Sequence, residues 1–477
     1  MREHPNGCCV GWFGEQRLRS CQEGPLIQGR RLGRQRTITD ATGSRSFAYN
    51  DALQLAAETN TFGVLVRAYD GLGRSAGFSL FNPANPVNPV QSIIYGYDSL
   101  GRFHSVSSSV FSALSVAKYS YLPGTDILSG WSSPSGFAVT RAFEPHRDLL
   151  TAVSNRYNGD TVSAFDYVND ALARRTARID HSGAGVPPAI TNAFGYNPRS
   201  ELTSAAMGTN AYGYAFDPIG NREWTRMNAN TNIYQANALN QYTNILCASA
   251  PPRENIPLYD HDGNMTFLPS TSGGGADGWH LRWNGENRLI QASNALHLVT
   301  YAYDYQGRMV TKQFSRRGAE AQSWEIEKTN SLIWDGFNIV QSLTHTQTHT
   351  LTNSFIWGLD LSGSLHGAGG VGGLLAEIQD GAPYFAAFDA NGNVTEYLST
   401  NGLIAAHYEY SPFGEITAQS GDQSDAFTHR FSTKPWCAVT GLSEYEMRMY
   451  GPGLGRWLSR DPIGEIDSGQ VSKARPL

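Results

Sequence analysis

The chain has 477 residues, which is enough for several ordinary domains or for one large repetitive domain. Only 16% of the residues are charged and the net charge is −6, so the concentrated basic face that binds nucleic acid is not expected. The 50 glycines, 23 tyrosines, 21 phenylalanines and 10 tryptophans favour aromatic strands joined by tight turns, which predicts an all-β fold.

The N-terminal segment, residues 1–35, differs from the rest of the chain. It has no hydrophobic periodicity, holds Cys8, Cys9 and Cys21, and lacks the apolar core of a secretory signal. The five cysteines form no CxxC pair and have no histidine at zinc-ligand spacing. No run of about 18 apolar residues occurs in the chain, so no membrane span is expected. We therefore predict an unstructured or spurious leader, and neither a metal site nor a cofactor.

A short motif recurs from Arg36 to residue 415. It consists of an aromatic residue, Asp or Asn, two variable residues, Gly, and then Arg or Asn, as in YDGLGR, YDSLGR, FDPIGN, YDYQGR and FDANGN. Many copies lie about 20 to 24 residues apart. The residues that define the clearest turns are Asp70, Gly73, Arg74, Asp98, Gly101, Arg102, Asp217, Gly220, Asp304, Gly307, Arg308, Asp389 and Gly392.

The chemistry of this motif is that of a β-hairpin. Asp or Asn accepts hydrogen bonds from backbone N–H groups, and Gly supplies the positive φ that returns the chain. Arginine outnumbers lysine by 31 to five, which suits fixed hydrogen bonds between neighbouring strands. A single hairpin is only marginally stable, so we expect the copies to pair edge to edge into a long twisted sheet that coils to hide its edges.

Two features inside the repeat region have alternative interpretations. The segment HGAGGVGGLL, residues 366–375, fits GxGxxG, but the apolar stretch that follows is short, which favours a loop between strands over a dinucleotide site. His345 and His349 lie in the polar stretch THTQTHTLTNS and His366 follows it; the stretch reads as a solvated edge strand, with metal binding by the three histidines as the alternative.

The last predicted region, residues 416–464, ends in TGLSEYEMRMYGPGLGRWLSRDPIG, from Thr440 to Gly464. Together with the repeats, this block resembles the Rhs/YD-repeat family of bacterial polymorphic toxins, which also includes the teneurin shells. The resemblance runs from about Arg36 to Gly464. It implies a coiled sheet or partial hollow β-shell of antiparallel hairpins, with residues 416–464 as the Rhs repeat-associated core. Residues 465–477 are expected to be a disordered, truncated tail.

The resemblance also implies a site. In toxin-complex relatives the terminal block is an aspartyl autoprotease, and the matching positions here are Asp461 and Arg460. Paired-carboxylate chemistry requires a second acid. The residues ahead of Thr440, where the family often has an acid, are Trp, Cys, Ala and Val, and the chain ends thirteen residues after Gly464. We therefore expect this site to be inactive, with Asp461 and Pro462 shaping a turn.

Three functions follow from the resemblance. The first is a non-catalytic structural shell, or its remnant, that encloses a C-terminal toxin in relatives, with the toxin itself absent here. The second is a YD-repeat module that binds carbohydrate or a cell surface, because exposed aromatic rows can stack on sugar rings. The third is the autoprotease. The resemblance implies an extracellular or cell-surface location, with an enclosed toxin polypeptide or a surface carbohydrate as the partner.

Overall fold

The computed structural model describes residues 26–29, 34–111, 115–182, 189–247, 256–270, 278–318 and 323–461. In these ranges the chain forms 38 β-strands and one 3-10 turn, Phe431–Thr433, without any α-helix. Nothing in the same ranges is a helix long and apolar enough to cross a membrane. The predicted all-β fold is confirmed.

The first sheet is a meander of twenty strands in which each strand pairs antiparallel with the one before it. The strands are β1 (Leu26–Gly29), β2 (Gln35–Asp40), β3 (Gly43–Tyr49), β4 (Leu55–Thr59), β5 (Val64–Tyr69), β6 (Ser75–Asn82), β7 (Asn85–Tyr97), β8 (Phe103–Ser108), β9 (Ser115–Tyr121), β10 (Leu128–Ser132), β11 (Phe137–Phe143), β12 (Leu150–Tyr157), β13 (Asp160–Asn169), β14 (Arg175–Ser182), β15 (Ile190–Tyr196), β16 (Leu202–Met207), β17 (Asn210–Phe216), β18 (Arg222–Met227), β19 (Asn230–Ala236) and β20 (Tyr242–Cys247).

The second sheet is a meander of fourteen strands, again antiparallel throughout. The strands are β21 (Leu258–Tyr259), β22 (Met265–Leu268), β23 (Trp279–Trp283), β24 (Leu289–Ser293), β25 (His297–Tyr303), β26 (Met309–Arg317), β27 (Trp324–Asp335), β28 (Asn338–Thr346), β29 (Thr350–Trp357), β30 (Leu374–Gln379), β31 (Ala382–Phe388), β32 (Val394–Ser399), β33 (Ile404–Tyr410) and β34 (Ile416–Ser420).

The third sheet is small and contains the terminal block. It consists of β35 (Trp436–Cys437), β36 (Leu442–Glu444), β37 (Met449–Gly451) and β38 (Arg456–Trp457). The terminal sheet therefore begins well after residue 416, because β34 still belongs to the second sheet through its pairing with β33.

The segment predicted as a leader contains a strand. β1 lies within residues 1–35, and its backbone pairs with β2. Pairing with β1 gives the exposed edge of β2 hydrogen-bond partners, which is a general need of edge strands. Cys8, Cys9 and Cys21, like the tail at 465–477, lie outside the described residues.

Burial differs between the two large sheets. Strands of the first sheet alternate between exposed and more buried residues, as in β3, where Arg45 and Phe47 are buried and Ser44, Ser46 and Ala48 are exposed, so one face meets solvent. In the second sheet, β30 and β32 are buried at five successive positions, so both of their faces are covered. One hydrophobic core includes residues from all three sheets, and the rings of Phe137 and Phe385 stack across it at 5.1 Å. The predicted coiled sheet is confirmed.

Candidate functional site

The repeat turns share one hydrogen-bond pattern, which the turn after β5 illustrates. Asp70 Oδ1 accepts hydrogen bonds from the backbone N–H groups of Leu72 and Arg74, both at 2.9 Å, while Oδ2 accepts one from Arg74 Nε at 2.7 Å. Gly73 has φ 78° and donates its N–H to the Asp70 carbonyl. The structure places all thirteen predicted turn residues at hairpin turns of this kind.

A ladder of contacts joins each turn to the next. Arg74 donates from Nη1 to the Gly101 carbonyl at 3.0 Å, and its guanidinium covers the ring of Tyr97 at 3.9 Å. The hydroxyl of Tyr97 in turn donates to the Ser75 carbonyl at 2.8 Å. Equivalent contacts join the next turn, where Arg102 covers the following tyrosine of the repeat at 4.3 Å. The recurring Arg and Tyr side chains of the repeat therefore join neighbouring hairpins of the strip.

The hydrogen bonds within each turn also favour the charged form of the turn acid. In the turn after β13, hydrogen bonds from the Arg174 backbone and side chain lower the pKa of Asp170. A carboxylate that accepts several such bonds is favoured in its charged form. The Asp170 carboxylate accepts hydrogen bonds from the Leu172 and Arg174 N–H groups and from Arg174 Nε, so it holds its own turn together.

One repeat turn is buried between the two large sheets. Asp304, 3% exposed, pairs with Arg308 of its own turn at 2.8 Å and with Arg45 of the first sheet at 3.3 Å. Arg45 also pairs with Glu58 at 3.0 Å. This buried group of four charges fastens β3 and β4 to the turn after β25.

The terminal sheet is docked by backbone and side-chain bonds to both large sheets. Arg222 donates from Nη1 to the Leu454 carbonyl at 2.7 Å, and the Met265 N–H donates to the Leu458 carbonyl at 2.8 Å. Both carbonyls lie next to β38; one accepts its hydrogen bond from the first sheet and the other from the second sheet. The terminal sheet, β35–β38, thus connects the two meanders, and we call this connection the clasp.

A buried ion pair anchors the same sheet in the core. Lys312 Nζ on β26 lies 2.6 Å from Glu444 Oε2 on β36, and the two side chains are 8% and 1% exposed. Burial alone would lower the pKa of Lys312, but the adjacent Glu444 carboxylate outweighs this and raises it. The pair was not predicted from the sequence, where its partners are 132 residues apart.

The predicted protease positions lie at the end of the described chain. Asp461 Oδ2 pairs with Arg448 Nη1 at 3.1 Å, and the Asp461 side chain is 48% exposed. Arg460 packs against Gly263, where an added Cβ would come within 2.4 Å of its Nε. Pro462 lies outside the described residues.

A cavity of about 1440 Å³ lies between β13–β17 of the first sheet and β32–β34 of the second. Part of its lining is an ion cluster in which Arg178 binds Asp180 through two bonds, at 2.6 and 2.8 Å. Arg178 Nη1 also lies 3.4 Å from Asp389 Oδ2. Asp389 was predicted only as a turn residue, and the structure adds this second contact.

The cavity also contains a histidine between two carboxylates. His407 Nδ1 lies 3.0 Å from Glu396 Oε1, and His407 Nε2 lies 3.5 Å from Glu409 Oε1. Burial opposes the charge on the ring, but the two carboxylates outweigh it and raise the pKa of His407 to about 10. Ser163 of the first sheet donates to Glu396 at 2.6 Å. The sequence carries no signal for this cluster, because only coiling of the strip brings Ser163 to β32.

The other features singled out in the sequence lie elsewhere. His345 and His349 belong to the hairpin of β28 and β29, where both bond to threonine hydroxyls. The glycine-rich segment 366–375 forms turns that lead into β30. Among the residues that the structure describes, no group of three or more His, Cys, Asp or Glu is placed to hold a metal ion.

A coiled strip of YD-type hairpins, laddered at its turns and clasped by a terminal sheet, defines the class of YD-shell proteins. The family model for the teneurin YD-shell matches residues 189–469. This match covers more than half of the chain, and the chain belongs to the teneurin YD-shell family. The resemblance to Rhs/YD-repeat proteins is confirmed.

Similar proteins include toxins and a solved toxin-complex structure. The chain is 24% identical over 258 residues to the tRNA3(Ser)-specific nuclease WapA of Bacillus spizizenii, covering 52% of this chain and 9% of that protein. It is 24% identical over 291 residues to the double-stranded DNA deaminase toxin A of Burkholderia cenocepacia, covering 57% and 19%. The crystal structure of TcdB2-TccC3 matches with a TM-score of 0.71 at 15% identity, covering 91% of this chain and 24% of that one. The chain thus spans less than a fifth of either sequence relative.

Proposed function

We propose that the chain is a non-catalytic wall segment of an Rhs-type toxin shell, which encloses a passenger toxin polypeptide outside the cell or at its surface. The observation that carries this proposal is the turn-to-turn ladder. In the ladder the repeated Asp, Arg and Tyr side chains form the turns and bond neighbouring hairpins to one another. These residues therefore stabilise a wall. In this proposal the toxic activity belongs to the passenger.

The similar proteins support this proposal. Two of them are named as a nuclease and as a deaminase toxin, and the match to each covers a small share of its length. A shared shell around different toxic activities accounts for likeness among proteins with such different names. Secreted toxins and teneurins, as relatives, favour an extracellular or cell-surface location.

The carbohydrate alternative requires aromatic faces that are free to stack on sugar rings. The repeat tyrosines offer little of this kind: Arg74 covers the ring of Tyr97, and the Tyr97 hydroxyl donates to a backbone carbonyl. A tyrosine held in this way contributes to the wall. The ladder therefore favours the wall over a carbohydrate module.

Protease protection tests the enclosing function. A Gly/Ser-rich, epitope-tagged passenger is fused after Leu477, and the same passenger is supplied as a free polypeptide for the control. We expect proteinase K to remove the fused tag about tenfold more slowly than the free one, since cleavage follows access to the chain. Equal rates would show that the chain does not enclose a passenger.

Self-cleavage is tested on the purified chain and its Asp461→Asn and Arg460→Gln variants. We expect one intact band from all three proteins during prolonged incubation. Fragments from the wild-type chain that disappear in Asp461→Asn would show that the terminal block is an active autoprotease.

A further inference from the structure

Five repeat turns of the first sheet carry an exposed aliphatic side chain two positions after the turn acid or amide. These residues are 62 to 79% exposed: Leu72, Leu100, Leu172, Ile219 and Leu239. In each turn the backbone N–H of the aliphatic residue donates to the side-chain oxygen of the turn acid or amide, at 2.9 to 3.0 Å. The five side chains therefore start from the same backbone geometry and project from their turns in the same way.

All five turns lie at one margin of the first sheet, because each follows an odd-numbered strand of the meander. The ladder runs along the same margin: Arg74 donates to the Gly101 carbonyl at 3.0 Å, and Asn221 donates to the side chain of Asn240 at 3.3 Å. Successive turns of one margin are two strands apart, which is about 10 Å. The aliphatic side chains thus stand as separate tips along the margin.

The turn itself does not require an aliphatic residue at this position. Four turns of the second sheet have Asp262, Glu286, Gln306 and Asn391 there, and their N–H groups make the same bond at 2.9 to 3.0 Å. Arg199 makes it in the first sheet. Exposed aliphatic residues that are scattered need no explanation, whereas these five share one margin and one repeat position. They point to contact with an apolar phase outside the chain.

The surroundings of the tips favour a lipid surface as that phase. In the turns of Leu72, Leu100 and Leu172 the acid pairs with the arginine of its own turn, so little net charge stands beside these tips. Five such side chains offer on the order of 500 Å² of apolar surface, whereas a stable protein interface buries about 800 Å² per partner in one closely packed area. A lipid surface accepts separate tips, because each can enter the boundary between headgroups and acyl chains on its own.

We propose that the turn margin of the first sheet binds a zwitterionic lipid surface, into which its five aliphatic tips insert. Two pairs of tips stand on successive turns and enter the lipid together, namely Leu72 with Leu100 and Ile219 with Leu239. The paired charges of the turns stay at the level of the headgroups. This contact goes beyond the wall function and does not depend on a passenger.

Flotation with phosphatidylcholine vesicles tests the proposal on the full chain. We expect the wild-type chain to float with the vesicles. The variants Leu72→Asn/Leu100→Asn and Ile219→Asn/Leu239→Asn should each bind about tenfold more weakly, because each loses two apolar tips. High salt should leave the binding of the wild-type chain unchanged, since the contact is apolar.

A matched control changes two exposed leucines at other turns. Leu296 and Leu403 are 57% and 66% exposed and stand on turns that follow even-numbered strands of the second sheet. Leu296→Asn/Leu403→Asn should therefore leave vesicle binding unchanged. Circular dichroism checks that each variant is folded. A photoreactive p-benzoylphenylalanine in place of Leu100 should cross-link to lipid, whereas the same group in place of Leu403 should not.

Several results would overturn the lipid contact. One is a wild-type chain that does not float, and another is equal binding by the wild-type chain and both tip variants. Release of the chain by high salt would assign any binding to charge instead. Sedimentation velocity identifies a further case: a dimer that both tip variants abolish, without vesicle binding by the wild-type chain, would assign the margin to a second copy of the chain.

Discussion

A residue with positive φ closes each hairpin turn of the repeat. Glycine takes this position at Gly73 and Gly220, as the motif predicts, yet Ala173 and Ser200 take it in degenerate copies with φ near 63° and 64°. The left-handed region costs a residue with a side chain about 1–2 kcal/mol. The Asp or Asn of the motif is therefore enough to predict the turn from the sequence. The contacts of the ladder stabilise the turn even where alanine or serine replaces glycine.

Exchanging glycine and alanine at this position tests how far the positive φ affects the free energy of unfolding. Gly220→Ala should destabilise the chain by about 1 kcal/mol, because the φ of 92° is unfavourable for alanine while the space for a Cβ is open. Ala173→Gly, at the equivalent position, should stabilise it by about 0.5 kcal/mol. Urea unfolding measures both. Changes of the same sign would show that φ does not control the stability of these turns.

At the scale of elements, the strands that contact the core differ from those that face solvent. β30 is buried on both faces and carries Glu377 at 0% exposure, with amide donors from Gln379 at 2.9 Å and Asn353 at 3.3 Å. Period-two alternation predicts a solvent face for such a strand and cannot predict this acid in the core. Both faces of β30 are buried because the strip coils, and a local sequence pattern cannot predict that coiling.

Glu377 makes stability depend on pH. Burial raises the pKa of Glu377 from its usual 4.5 to about 8, so its contribution to stability is complete below pH 4.5 and is lost as the pH rises towards 8. Glu377→Gln should remove this loss, which is on the order of 3 kcal/mol. Urea unfolding at pH 5 and pH 8 measures it, with exposed Glu327→Gln as the control. An unchanged pH dependence in Glu377→Gln would contradict the assignment.

The clasp of the terminal sheet depends on the pair Lys312–Glu444. Glu444→Gln should cost about 3 kcal/mol of stability because it leaves the lysine charge buried without its partner. The double variant Lys312→Met/Glu444→Leu should recover most of this loss. Glu144→Gln, which breaks an exposed pair with Arg147 at 2.9 Å, should cost less than about 1 kcal/mol. A double variant as unstable as Glu444→Gln would refute the charge explanation.

At the scale of the whole molecule, the two large sheets form one packed body. Asn155 of β12 donates to the Phe388 carbonyl at 3.0 Å, and the Leu359 N–H donates to the Tyr119 hydroxyl at 3.0 Å. The family resemblance implied a coiled shell. These contacts were not predictable, because each joins residues more than 230 positions apart and depends on the pitch of the coil.

A shared core predicts cooperative opening. The stacked rings of Phe137 on β11 and Phe385 on β31 connect the sheets, so amides of both strands should exchange with the same opening free energy. Hydrogen exchange with mass spectrometry measures this. Exchange of one sheet at a free energy about 2 kcal/mol below that of the other would mean that the sheets unfold separately.

The ladder has a consequence for how such a chain can change in evolution. Each rung, such as Arg74 to Gly101, reaches only the following turn, so a hairpin that is duplicated or lost leaves the remaining rungs with suitable partners. The length of the strip can then change by whole hairpins without new chemistry. Strands of either sheet that pack across the core, such as β11 and β31, do not share this freedom. Gain and loss of repeats should therefore concentrate in the hairpins that lack such contacts.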